Sequence, residues 1–482
     1  MFDHTLSQKA DITPLKKFAE ATRLAASDQA SFAAGVIGKG ATFQGEFGPR
    51  KIVYADYVAS GRAHEMVEDF VRDSVLPFYA NTHTDASYCG ATTTHMREEA
   101  RAVILDHCNA NPSEHAVIYS GAGATAALNK MVHLFGVRKA LETGREVHVL
   151  IGPYEHHSNI LPWRESGATV VQIDENLTGG PDIGHIQSVL QGIPNNALII
   201  GSFSAASNVT GIETDVAKVS RVIKSAGGLS VWDFAGGGPY LQIDMHPEDV
   251  SLDAIVFSPH KFIGGPGASG VLLIRRDAVV NDLPERPGGG TVAFVNDRVH
   301  DYLSCLEERE EGGTPNIVGD IRAALAIILK DALGQNYITE RNQWLTDRAL
   351  SVWGGHPAIN LLGGSRNDRL PIFSFIVDAG SDEVFDFHLY TRALSDIYGI
   401  QARGGCACAG PYVHELLRIS PELSAELRGQ ILHGDETHKP GFVRMNFSVL
   451  MDDQEVDYIL LSVVELAGKY SELAEMYAQS RK

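Results

Sequence analysis

Apolar residues recur along this chain in two alternating rhythms. Short runs, apolar almost throughout, fall at 116–119, 147–151, 169–173, 197–203, 229–232, 254–257 and 271–274. Between them lie longer stretches with the three-to-four spacing of an amphipathic helix. The stretch 214–226 is typical. Thr214 and Asp215 offer a cap, Val216, Val219, Val222 and Ile223 form one face, and Gly227-Gly228 ends it. Strands buried on both faces and alternating with helices predict an α/β fold with a mostly parallel, seven-stranded sheet. Ligands of such a sheet bind at the carboxyl ends of its strands.

The flanks read differently. Residues 12–36 have a helical pattern that starts at Thr13-Pro14, and 64–79 and 92–109 read as amphipathic helices. Residues 317–353 predict one long helix or two broken ones. A smaller α+β domain follows, with strands near 371–377 and 442–449 and helices near 383–396 and 454–475. The expected division is a large domain over 40–316 and a small one built from 1–39 and 317–482. Neither an internal repeat nor a low-complexity tract interrupts the pattern.

Two of the buried runs end in reactive groups. The run Ala254–Phe257 leads into Ser258-Pro259-His260-Lys261, and glycines follow at 264, 265, 267 and 270. A lysine at the end of a buried strand, against a loop too rich in glycine to wall it off, is in a half-dry place, where it holds its proton less tightly and becomes a nucleophile toward a carbonyl. Ser258 and His260 can hold a phosphate beside it. The run Leu229–Trp232 ends in Asp233, and three glycines lie at 236–238. A pyridoxal phosphate enzyme needs this pair, a lysine for the Schiff base and an acid facing the pyridine nitrogen.

On the pair Asp233 and Lys261 the chain resembles the class-V aminotransferase family of fold-type-I pyridoxal phosphate enzymes, and within it the cysteine desulfurase and selenocysteine lyase group. Further strings carry the likeness, in family order, over about residues 50–470. Lys51 to Ser60 resembles the opening Tyr-x-Asp-x-Ala-Ala-Ser. Gly123-Ala124-Thr125, with Asn129, resembles Gly-Thr-Thr-Glu-x-x-Asn, and makes Thr125 and the N–H of Ala124 the phosphate cup. A glycine turn before a helix suits an anion on its own account. Glu155-His156-His157-Ser158-Asn159, with Pro162-Trp163, matches Glu-His-His-x-Asn-x-x-Pro-Trp, whose first histidine stacks on the pyridine and relays protons. That position is His156. Ser207-Asn208 with Gly211 places Asn208 near the cofactor's phenolate or the substrate carboxylate. Ser258, His260 and Lys261 match Ser-x-His-Lys. Where the family has a glutamine three residues after the acid, this chain has Gly236.

The later strings complete the implied site. Glu311 to Asn316 resembles Glu-x-Gly-Thr-Pro-Asn, whose threonine, here Thr314, reaches the phosphate of a neighbouring subunit and so implies a homodimer with shared active sites. Arg403 to Ala409 aligns with Arg-x-Gly-x-x-Cys-Ala and puts Cys408 at the nucleophile position. Cys406 has no role in that pattern. Arg444 would fork onto the substrate carboxylate. His83, in the polar loop 79–85, is a substrate-mouth candidate or simply a solvated loop histidine. The segment 419–439 is longer than the desulfurase pattern.

The implied activity is conversion of L-cysteine to L-alanine with a persulfide on Cys408, which would pass to a sulfur-acceptor protein. The alternative is an aminotransferase, epimerase or carbon–sulfur lyase in which Cys408 is not catalytic. A non-enzymatic scaffold stands third, because so many cofactor positions are filled.

Charge and cysteine usage narrow the setting. The chain has 482 residues, 40 Lys and Arg against 60 Asp and Glu, and a net charge of −20. That excludes a nucleic-acid or anionic-membrane surface as the expected partner and leaves a small amino-acid substrate open. Five cysteines, an odd number, in so long a chain suit a reducing, cytoplasmic compartment without a disulfide framework. The opening Met1-Phe2-Asp3-His4-Thr5 carries no signal-peptide pattern, and no run of eighteen apolar residues predicts a membrane span. His156-His157 is not read as a metal site, since adjacent side chains diverge and no further ligand stands at a suitable spacing.

Overall fold

The structure, a computed structural model, describes residues 13–82, 86–121, 123–378, 385–436 and 439–480. All seven apolar runs are strands, with ends within a residue of expectation. They are β1 (His115–Ser120), β2 (Val147–Ile151), β3 (Thr169–Gln172), β4 (Leu198–Ser204), β5 (Leu229–Asp233), β6 (Ala254–Phe257) and β7 (Gly270–Arg275). They form one sheet in the order β1-β7-β6-β5-β4-β2-β3. β7 runs antiparallel to β1 and β6, and every other pair is parallel.

Burial on both faces explains why these runs lack polar alternation. In β6, Ile255 and Phe257 pack on one side with Trp232 and Leu273. Ala254 and Val256 pack on the other with Val231 and Leu272. Each fully buried Ile, Val or Phe contributes about 1.5–3 kcal/mol of transfer free energy, so both helical layers are held firmly to the sheet.

A four-stranded antiparallel sheet forms a second core. Its order is Ile359–Leu361, Ile372–Val377, Phe442–Asn446 and Arg403–Gly405. The helices Phe387–Tyr398 and Asp453–Gly468 cover it through Tyr390, Leu394, Ile459 and Val463. The stretch 317–353 is two helices, Ile317–Leu333 and Gln335–Trp353, parted at Gly334 where φ is +80°. The stretch 12–36 is likewise two, Pro14–Ala26 and Gln29–Ala34, the second capped by Asp28. Leu15 and Phe18 of the first join one cluster with Ile321 and Leu325. Residues 419–439, an insertion by resemblance, carry the helix Pro421–Leu432, in which only Leu427 is buried. Among the described residues, no helix is long and apolar enough to cross a membrane.

Candidate active site

The carboxyl ends of β4, β5 and β6 open onto one cavity of about 280 Å³. Its walls bring together Ala124, Thr125, His156, Asn208, Asp233, Ser258, His260, Lys261, Cys408 and Arg444. These residues span most of the chain, and the topology places them on one rim. One expected member lies elsewhere. Thr314 lines a separate cavity with Lys130, Glu311 and Asn316. His83 lies outside the described residues.

Backbone geometry shapes the end near Ser258. β1 turns through Gly121 and Gly123 into the helix Gly123–Leu134. Gly123 has φ +68°, and a Cβ there would sit 2.9 Å from Ser258 Oγ. Only glycine permits both the turn and the close approach. The N–H of Ala124 then donates to Ser258 Oγ at 2.9 Å, and Thr125 Oγ1 lies 2.7 Å from Ser158 Oγ.

The string Glu155 to Trp163 is held by a buried network. Glu155 accepts from Gly152 N (3.2 Å), Ser204 N (2.8 Å), Ser204 Oγ (2.7 Å) and Asn159 Nδ2 (2.5 Å). Asn159 Oδ1 in turn accepts from Ser202 Oγ at 2.6 Å and Trp163 Nε1 at 3.1 Å. Burial pushes Glu155 up to about 7. Its role is to tie the loop after β2 to β4, which aims His156 into the cavity. Burial and the neighbouring Lys261 charge pull His156 down to about 4, so the ring is neutral at neutral pH. Its Nδ1 accepts the Ser158 N–H at 3.1 Å, which leaves the ring proton on Nε2.

Lys261 and Asp233 face each other across this wall. Burial lowers Lys261 to about 8, with Arg444 and Arg403 adding to the effect and Asp233 opposing it. Burial raises Asp233 from its ordinary value, while the Ala235 N–H (2.7 Å) and Lys261 oppose. A group with its pKa lowered to about 8 is protonated below that value and a free amine above it. An amine-reactive acylating probe should therefore label Lys261 of the cofactor-free protein in a step centred near pH 8. Peptide mapping across pH checks this, and a midpoint near 10.5 would contradict it.

Two arginines meet on the small sheet. Arg403 and Arg444 stand directly opposite in register, an unfavourable placement for like charges. Asp56 relieves it by bridging them. Arg444 Nη2 donates to Asp56 Oδ1 at 3.1 Å, and Arg403 Nε to Oδ2 at 3.0 Å. Arg444 Nη1 also donates to the Asn208 carbonyl at 3.1 Å. Burial lowers Arg444 from its ordinary value, and Asp56 opposes. The sequence pattern gives no role to Asp56, within the opening string, or to Arg403, a flank of the cysteine motif; the signal that points to both is the need of two arginines near one anion site for a balancing acid.

Cys408 is exposed on the facing wall, next to Ala407. Both have left-handed backbones, φ +51° and +54°. For non-glycine residues such conformations cost on the order of 1–3 kcal/mol each and persist only where the surroundings enforce them.

These side chains suit pyridoxal phosphate. Asn208 Oδ1 and Arg444 Nε are buried without a hydrogen-bond partner among the described residues. Buried Asp233 has one backbone donor and no cation at hydrogen-bonding distance among the described residues. A protonated heterocycle would satisfy Asp233 and an acceptor would satisfy Arg444 Nε, while Asn208 Oδ1 would take a donor. Ser258, His260 and Thr125 line the same cavity and would offer side-chain donors to a phosphate. Gly236, where the family has glutamine, has only ordinary contacts at 3.5 Å or more around a built Cβ, so a side chain would fit but none is present.

A family model described as aminotransferase class-V matches residues 53–459. A probable cysteine desulfurase of Staphylococcus epidermidis is 27% identical over 367 residues, covering 75% of this chain and 84% of its own. One from Vibrio cholerae is 26% identical over 416 residues, covering 86% and 93%. Among solved structures, a cysteine desulfurase of Escherichia coli superposes with a TM-score of 0.71 at 22% identity, covering 92% of this chain and 99% of that one. The apo enzyme from Thermococcus onnurineus gives 0.70 at 24% identity, covering 86% and 95%.

Proposed function

The chain belongs to the class-V aminotransferase family of pyridoxal phosphate enzymes, and from that premise we propose that it takes the sulfur from L-cysteine and leaves L-alanine, with Cys408 as the sulfur acceptor. The observation that carries the reading is the presence of Cys408 in the same cavity as Lys261, His156 and Arg444. Both relatives described above bear the description probable cysteine desulfurase.

Lys261 would hold the cofactor, Asp233 would face its ring nitrogen, and Thr125, Ser258 and His260 would hold its phosphate. Bound there, the cofactor supplies an electron sink for bonds at the amino acid's α-carbon. Arg444 binds the substrate carboxylate as a planar fork, with Asp56 fixing its plane. Lys261 Nζ, poised near neutrality, takes the α-proton. Neutral His156 offers its Nε2 proton on the cavity side. Cys408 Sγ, as thiolate, bonds to the substrate sulfur while the carbon–sulfur bond breaks. The bonding pair stays with the carbon fragment, which gains protons to become alanine, and Cys408 keeps the sulfur as a persulfide.

Replacing Arg444 by Lys exchanges a fork for a point charge. The expected loss is about 1.5–3 kcal/mol of substrate binding, or roughly 10–100-fold in apparent affinity. Titration of the cofactor spectrum with L-cysteine checks it, and unchanged affinity would make Arg444 structural. Asp233→Asn keeps its bond from Ala235 N–H but loses the charge. The holoenzyme should fold and lose turnover on the order of 10²-fold or more, and a wild-type rate would remove Asp233 from the role.

The setting we propose is cytoplasmic, in keeping with five free cysteines, and the assembly a homodimer. In a dimer, Thr314 would serve the neighbour's phosphate, which suits its place in a cavity of its own. The persulfide would pass to an acceptor protein. The reading of a lyase, epimerase or aminotransferase draws on Gly236, which leaves the cofactor edge without the family's amide. Sulfide and alanine release by the purified holoenzyme, against pyruvate or another keto acid, separates the two.

A further inference from the structure

The turn that carries Cys408 is strained, and its own sequence does nothing to relieve that strain. Ala409 N–H donates to the Cys406 carbonyl at 3.2 Å, which closes a four-residue turn over Ala407 and Cys408. With both central residues at positive φ, this is the mirror-image form that favours asparagine and glycine. Neither alanine nor cysteine has a side chain that stabilises it, so the surroundings must.

Three hydrogen bonds tie the turn and the residue after it to Asn208 and His157. Asn208 Nδ2 donates to the Ala407 carbonyl at 2.9 Å. His157 N–H donates to the Cys408 carbonyl at 2.8 Å. Gly410 N–H donates to His157 Nε2 at 2.9 Å. The last is the contact that depends on a side chain no step of the reaction uses. Gly410 opens the helix Gly410–Leu416, whose cap residue Ala409 supplies no side-chain acceptor. His157 supplies one from the loop after β2, for a donor that the helix itself leaves unpaired. A Cβ at 410 would stand 3.0 Å from Nε2, so glycine is what allows the approach.

Since a backbone N–H only donates, Nε2 of His157 carries no proton and the neutral ring is the Nδ1–H tautomer. The adjacent histidines thus have opposite tautomers. His156 turns an N–H toward the cavity, and His157 turns a bare nitrogen toward the cysteine turn.

We propose that His157 is the positioning residue for Cys408, acting through Gly410 and touching neither substrate nor cofactor. The inference rests on the reading of Cys408 as the sulfur-accepting nucleophile.

The test uses the holoenzyme and four variants, His157→Phe, His157→Gln, Gly410→Ala and Cys408→Ala. It reads sulfide release, KM, the cofactor spectrum and the rate at which iodoacetamide alkylates Cys408, followed by peptide mass spectrometry. His157→Phe removes the acceptor and should lower kcat roughly 10- to 100-fold through misplacement of the thiol. KM and the spectrum should hold, and alkylation of the loosened Cys408 should speed up severalfold. The glutamine oxygen can accept the same N–H, so His157→Gln should stay within about threefold of wild type. Gly410→Ala presses on the contact from the other side and should repeat the phenylalanine signature, carrying the test alone if His157→Phe does not fold. Wild-type kcat and alkylation in His157→Phe and Gly410→Ala would overturn the proposal while leaving Cys408 in its role. A changed cofactor spectrum in both would overturn it too, because the residue would then act on the cofactor. Sulfide release by Cys408→Ala at the wild-type rate would instead remove the reading beneath it.

Discussion

Cys408→Ala should leave a folded, cofactor-loaded protein that releases no measurable sulfide from L-cysteine, a fall on the order of 10³-fold or more. Cys408 is exposed at the cavity and buries no apolar surface whose loss would unfold the chain. Alanine also tolerates the left-handed backbone no worse than cysteine does. Arg444, the proposed carboxylate fork, lies in the strand Phe442–Asn446 and its partner Asp56 in a segment far from Cys408 in sequence, so both are untouched. Binding should therefore survive, seen as an unchanged spectral response to L-cysteine, while the sulfur has no acceptor. Cys406→Ala should fall much less, because Cys406 packs beside Tyr412 and Val413 and does not line the cavity. Full sulfide release by Cys408→Ala would leave a lyase, epimerase or aminotransferase in which this cysteine is incidental.

Lys261→Ala should abolish turnover, again by on the order of 10³-fold or more, and also abolish covalent retention of the cofactor. Two functions sit on one atom. Nζ is the amine lowered to about 8 by burial with two arginines adding, and it is the proposed base, in the same cavity as Asp233 and His156. Other lysines cannot replace it. Lys330, also lowered to about 8 by burial, donates to the Gly238 carbonyl at 2.8 Å and supports the loop after β5 from behind. Borohydride treatment of the wild-type holoenzyme should fix the cofactor to one peptide, the one that contains Lys261. In Lys261→Ala the cofactor should wash out. Fixation on any other lysine would contradict the assignment.

The strands were legible because each is buried on both faces and so reads as an unbroken apolar run. The site was legible because the parallel topology sends β4, β5 and β6 to one edge, where Asn208, Asp233 and Lys261 follow the strand ends. The helix Pro421–Leu432 was not, since burying only Leu427 leaves almost no amphipathic signal. The break at Gly334 was open between one helix and two, and its positive φ decides it. Asp56 escaped notice because its role lies in contacts with Arg403 and Arg444, more than three hundred residues away in the chain. His157 escaped because its string singles out the first histidine, whereas its acceptor role depends on a helix start that the sequence does not place beside it.

The most direct test is to give the purified holoenzyme L-cysteine with a thiol reductant and count products. The account predicts sulfide and L-alanine in equal amounts, with a persulfide on the Cys408 peptide when the reductant is left out. Pyruvate and ammonia in place of alanine, or a keto acid without sulfide, would contradict it.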